Sequence, residues 1–184
     1  APPPGQVFDN LYFVGAAWVS AWVLKTSEGL ILIDALNTDA EAQALIEGGM
    51  RQLGLDPKDI RYLIVTHGHG DHYGGAKRFV EQYRVRVVAS GLDWTMMETG
   101  LEFDLPVWPA PPRRDIAVKD GDTLTLGDTT VRWYVTPGHP LGTLSPVFEV
   151  RQGDRRWQAL LWGGTSFNFG RDLDRLDGYI DSAE

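Results

Sequence analysis

Three of the chain's four histidines fall within six positions, in VTHGHGDHYGG at residues 65–75, at the end of the apolar run DIRYLIVT at 59–66. A nearly continuous apolar run of that length is expected for a strand covered on both faces, the kind found in α/β folds rather than in open antiparallel sheets. Loops leaving the C-terminal ends of such strands are the usual place for sites. The histidines therefore predict both a fold class, α/β, and the end of the sheet at which chemistry is to be sought.

The residues around this strand fit that reading. The opening forty residues alternate short β-like runs with turn signals: NLYFVG, SAWVLKT and GLILID, the last two joined through Ser27-Glu28-Gly29. Thr38 with Glu41 forms a capping-box pattern, followed by Ala42, Leu45, Ile46 and Leu53 at helical spacing. Gly74-Gly75 lead into the helical stretch AKRFVEQY, and VRVVAS at 85–90 is a second buried strand. Four prolines between Phe103 and Asp115 predict a linker. Beyond it, hairpins are expected to turn at Gly127-Asp128 and at Gly153-Asp154. A single unit of 1–184 is expected, with a first half of 1–115 and a partial second half of 116–184. Leu173, Leu176 and Ile180 then lie at helical spacing near the end, an apolar face that needs cover.

Cysteine is absent, so a metal would have to be held by imidazole and carboxylate. His67 and His69 are two apart, which on extended backbone points both side chains the same way. Asp71 and His72, after a turn that Gly68 and Gly70 permit, can address a neighbouring position with an oxygen and a nitrogen. The fourth histidine, His139, sits in VTPGHP at the end of a second-half strand. It would complete a three-nitrogen set that leaves a position open for water.

HGHGDH followed by YGG, with TPGHPLGTLS downstream, resembles the HxHxDH signature and third-histidine loop of the metallo-β-lactamase superfamily. The opening FDNLYFVG and VLKTSEGLILIDAL is similar too, most of all to the third, cysteine-free subclass of class B β-lactamases and its relatives. The resemblance implies an αβ/βα four-layer sandwich whose second half is incomplete here. It implies that His67, His69 and His139 hold one Zn2+ firmly, while Asp71 and His72 contribute to a second. It also implies hydrolysis by a metal-bound hydroxide that Asp71 orients, with the β-lactam amide as first substrate and a lactone, ester or thioester as the rival.

Two departures qualify what is carried over. Where many members place a bridging aspartate, this chain has Gly163, Gly164 and Thr165, as in β-lactamases without the bridge. Serines that hold a substrate carboxylate are represented only by Thr165, Ser166 and Asn168. No histidine follows His139, so the second metal lacks its last ligand from this polypeptide. The expectation is a weak second site, or one completed by another copy through a homodimer or exchange of the C-terminal elements. A truncated, self-associating and catalytically impaired metal-binding fragment is the alternative of a different class.

Other residues refine the picture. Trp18 and Trp22, in or beside the first loop, are where relatives place substrate-facing side chains. Trp94 and Trp108 could line a cleft or pack, and Trp133, Trp157 and Trp162 are expected to pack in strands. A formal net charge of −8 without a segregated basic patch argues against nucleic acid and anionic membranes and for a small-molecule substrate. No apolar run reaches the roughly 20 residues of a membrane span, and no signal peptide is present in the sequence. A periplasmic or secreted location follows only if such a leader has been removed.

Overall fold

The computed structural model describes residues 1–100, 105–166 and 172–184. Its first sheet has seven strands in sequence order: β1 (Gly5–Phe8), β2 (Leu11–Phe13), β3 (Trp22–Thr26), β4 (Gly29–Ile33), β5 (Ile60–Ile64), β6 (Arg86–Ser90) and β7 (Ile116–Val118). β1 to β4 run antiparallel, and β4 to β7 run parallel. The parallel part needs crossovers, and these carry the helices. The helix α1 starts at Asp39–Glu41, passes through a π-helical stretch Ala42–Glu47 and ends as Gly48–Gln52. Then come α2 (Gly70–Tyr73), α3 (Ala76–Tyr83) and α4 (Gly91–Thr99). The second sheet is antiparallel, in the order β11-β10-β9-β8, from β8 (Thr123–Leu126), β9 (Thr129–Val135), β10 (Leu144–Gln152) and β11 (Arg155–Leu160). A last helix, α5 (Leu173–Ala183), follows.

Strand alternation sorts the apolar residues into two cores. Leu30, Leu32, Leu63 and Val87 face the helices and meet Ala42, Ile46, Met50, Phe79 and Trp94. Ile31, Ile33, Ile64 and Val88, one residue out of step, face the second sheet and meet Val131, Trp133, Leu144, Phe148 and Val150. The result is a helix–sheet–sheet sandwich, the mixed α/β architecture expected from the sequence. α5 adds a small piece at its edge. Tyr179 lies against Gly138, Ser182 Oγ donates to Pro137 O (3.2 Å), and Leu173, Leu176 and Ile180 remain exposed on the other face. Among the described residues no helix is long and apolar enough to cross a membrane.

Both hairpin turns and the Thr38 cap stand where the sequence placed them. Thr38 Oγ1 accepts from Glu41 N (3.2 Å), but the Glu41 carboxylate reaches one residue further back, to Asn37 N and Nδ2. Of the linker, the described part, 105–115, has no helix or strand. Three expectations need correction. β5 is not covered on both faces along its whole length, since Arg61 is exposed and Tyr62 half-buried. Trp157 is 42% exposed and only leans on Phe8, with ring centres 5.9 Å apart, because β11 is an edge strand. β1, β7, α2 and α4 are elements beyond those expected from the sequence, and β7 joins the first sheet although 116 onward is expected in the second half; Ser90 and Asp93 do form a cap signal at the start of α4.

Candidate metal centre

The four histidines converge at the C-terminal ends of the parallel strands. β4 and β5 finish side by side, with Asp34 N donating to Ile64 O (2.8 Å) and Val65 N to Val88 O (2.8 Å). The second sheet is tied in at the same level by Leu144 N donating to Thr66 O (2.7 Å). Consequently the 67–72 loop of the first half and the 137–143 loop of the second lie face to face.

The nitrogens of His67, His69 and His139 lie within 4.8 Å of one another, and all three residues are buried. Two of the tautomers follow from their partners. His67 Nδ1 lies 2.8 Å from Gly163 O and His139 Nδ1 lies 2.6 Å from Ser166 O; a carbonyl only accepts, so both Nδ1 atoms carry the proton. The two Nε2 lone pairs then face each other at 3.1 Å. Burial pushes the His67 pKa well down, and it pushes His69 to about 3, with His139, His72 and Arg175 adding to the shift. Neutral imidazoles whose converging lone pairs repel one another fit a cation, and they fit zinc-like ions in particular.

A second group joins His67 to Asp71 and His72, again with ligand atoms within 4.8 Å. It is more open, with Asp71 and His72 side chains 31% and 15% exposed. His72 Nδ1 donates to Asp34 Oδ2 (2.8 Å), so in the neutral ring the lone pair is on Nε2. Burial alone would lower the His72 pKa, yet the charge and hydrogen bond of Asp34, with Asp71 and Asp93 behind, raise it. Asp34 is itself held by Thr66, whose N and Oγ1 donate to it at 2.8 to 3.0 Å. These bonds hold Asp34 in the left-handed region, φ 63°, a conformation costly for a non-glycine residue. Asp34 is the main residue that sequence reasoning missed. Its signal was an acid closing the apolar strand GLILID, where a buried carboxylate must have a partner.

The cleft above these groups has a volume of about 510 Å³, within the range of small-molecule sites. Trp18 stands at its mouth, 66% exposed, and Thr165 and Ser166 line it. Asn168 lies outside the described residues. Trp22 is not in the cleft: it pairs in β3, edge-on to Phe13 with ring centres 5.3 Å apart, at the margin of the inter-sheet core. Trp162, expected to pack, lines the cleft, because the chain has left β11 by that point; its Nε1 donates to Gly164 O (2.8 Å). Trp94 is fully buried, with Nε1 donating to Ile116 O (2.8 Å). Trp108 lines the cleft and stacks on His69, and it leaves no space for a side chain at Gly70.

A helix–sheet–sheet sandwich with an HxHxDH loop facing a third-histidine loop defines a class, and the comparisons agree with it. The sequence pattern of the metallo-β-lactamase superfamily matches residues 16–154, and the chain belongs to that superfamily. Among solved structures it is similar to BJP-1, a subclass B3 metallo-β-lactamase of Bradyrhizobium japonicum, at 31% identity and TM-score 0.84, covering 97% of this chain and 71% of that one. The fold also matches native FEZ-1 metallo-β-lactamase from Legionella gormanii, at 24% identity and TM-score 0.88, covering 98% and 73%. Among curated proteins it is similar to a hydroxyacylglutathione hydrolase of Acidiphilium cryptum (strain JF-5), 26% identical over 150 residues, 82% of this chain and 50% of that one. A protein of the same name from Rhodopseudomonas palustris (strain BisA53) is 32% identical over 134 residues, 73% and 44%. The chain spans half the length, or less, of these curated relatives.

Proposed function

We propose that this chain is the metal-binding part of a zinc-dependent hydrolase that opens an activated acyl bond, with the β-lactam amide as first substrate. The observation that carries the reading is the trio His67, His69 and His139: buried together, with His67 and His139 tautomers that aim Nε2 at a common point. These three would hold the first ion, and Asp71 and His72 would face a second, looser position. A zinc-like ion supplies Lewis acidity and a water ionised near neutral pH. The chain's own part is to keep His67 and His69 neutral, to fix the orientation of His67 and His139 through Gly163 O and Ser166 O, and to offer Asp71 as the group that orients water and takes up its proton. Trp18, Thr165 and Ser166 line the wall against which the substrate would lie.

Likeness to B3 β-lactamases favours the β-lactam. The name shared by the two hydroxyacylglutathione hydrolases favours a thioester as the second reading. Hydrolysis of a chromogenic cephalosporin and of a glutathione thioester, measured with added zinc and with chelator, separates them. Zinc-dependent turnover of the cephalosporin that vanishes in His67→Ala is the expected result. Turnover of the thioester alone would move the assignment to the second reading, and no turnover of either at saturating zinc would overturn both.

A further inference from the structure

We infer that Asp93 is a positioning residue for the proposed metal trio, one buried carboxylate beneath both histidine loops that sets His67 and His69 against His139. The inference rests on the metal-binding reading above. Asp93 lies in the first turn of α4, 1% exposed, with its backbone N donating to the cap Ser90 Oγ (3.0 Å). Its Oδ2 accepts from the backbone N–H of Gly68 (3.1 Å), the residue between His67 and His69. Its Oδ1 lies under the other loop. A Cβ on Gly142 would come within 2.2 Å of that oxygen and 2.4 Å of Ser90 Oγ, so the chain leaving His139 crosses the carboxylate with no room for a side chain.

The same turn of α4 closes Gly68 from below, where a Cβ would come within 2.6 Å of Met96 Cε and 3.1 Å of Asp93 O. Each histidine loop therefore rests on the first turns of one helix, and Asp93 is the group both touch. A carboxylate withdrawn from water is unfavourable unless its oxygens are matched, which makes the position of its partners strongly preferred. Partners behind metal ligands, when removed, typically weaken metal affinity ~10 to 100-fold.

The test is zinc affinity of the intact chain, by competition with a chromophoric chelator, together with the absorption spectrum of the Co2+-loaded chain. Asp93→Ala leaves Gly68 N–H without this acceptor; the expected result is zinc binding weaker by ~10 to 100-fold and a changed Co2+ spectrum. Asp93→Asn keeps an oxygen for Gly68 N–H and should recover most of both. Should Asp93→Ala not fold, Gly142→Ala, which presses on the carboxylate from the His139 side, is expected to weaken zinc binding with the far-ultraviolet circular dichroism unchanged. A folded Asp93→Ala or Gly142→Ala that binds zinc as the wild type does, while His67→Ala has lost it, would overturn the role of Asp93 alone. Wild-type zinc affinity in His67→Ala would overturn the metal reading on which it rests.

Discussion

The two candidate ligand groups share His67 but are built differently. His67, His69 and His139 come from two loops on two sheets; all are buried, and two of the imidazoles are anchored to backbone carbonyls. Asp71 and His72 come from one short helix, α2, and are partly exposed, and His72 depends on Asp34 for its orientation. Backbone carbonyls move only if the fold moves, whereas a side-chain anchor can be withdrawn by one substitution. The first group should therefore be as firm as the contact between the sheets, and the second only as firm as Asp34.

The largest expected effect separates chemistry from metal holding. Asp71→Asn should lower turnover by roughly 10² to 10⁴-fold, the usual range for a lost general acid–base group, while the tightly bound zinc is retained. Loss of the tight zinc in that variant would break the distinction between the groups. The trio's dependence on the sheet contact is probed at Trp133, fully buried between the sheets. Trp133→Ala should cost about 3–5 kcal/mol in chemical denaturation of the metal-free chain and loosen zinc at the first site before the fold is lost. Asp34→Asn, next in size, should weaken the second zinc ~10 to 100-fold and leave the first nearly unchanged. Equal losses at both would show that Asp34 serves the whole site.

The smallest effect is that of pH on the metal-free chain. Between pH 6.5 and about 3 the folded His69 stays neutral, while the unfolded chain takes up a proton there. The unfolded state then binds more protons, so stability falls as pH falls through that window, and His67 acts in the same direction. His72 runs the opposite way: its raised pKa adds stability below 6.5 that is lost as pH rises through its folded value. Urea midpoints at pH 7.5 and pH 5 should show the lower value at pH 5, with a smaller difference in His69→Ala. A midpoint independent of pH would contradict the burial assigned to His67 and His69.

Much of this comparison is legible in the amino-acid sequence, for a physical reason. A metal site needs particular side chains at particular spacings, and HGHGDH with GHP downstream carries that information locally. Turn chemistry is local as well, which is why Gly127-Asp128 and Gly153-Asp154 could be placed. What the sequence hides is non-local. Asp34, Asp93 and Trp108 act through residues tens of positions away, so even where the local sequence asks for a partner, as at Asp34, it does not say which. The tryptophans show the limit of composition most clearly. Trp94 is sealed in the core, Trp108 lines the cleft and Trp22 turns into a strand pair, although each is an aromatic residue near a loop or strand end.

The difference between the groups comes down to His139, the residue through which the second sheet reaches the site. Zinc titration of the wild type and of His139→Ala, against a chromophoric chelator, tests it directly. The expected result is one tight equivalent and one weak equivalent in the wild type, with the tight one lost in His139→Ala by roughly 10³-fold or more. A tight equivalent that survives in His139→Ala, or two equally tight equivalents in the wild type, would contradict it.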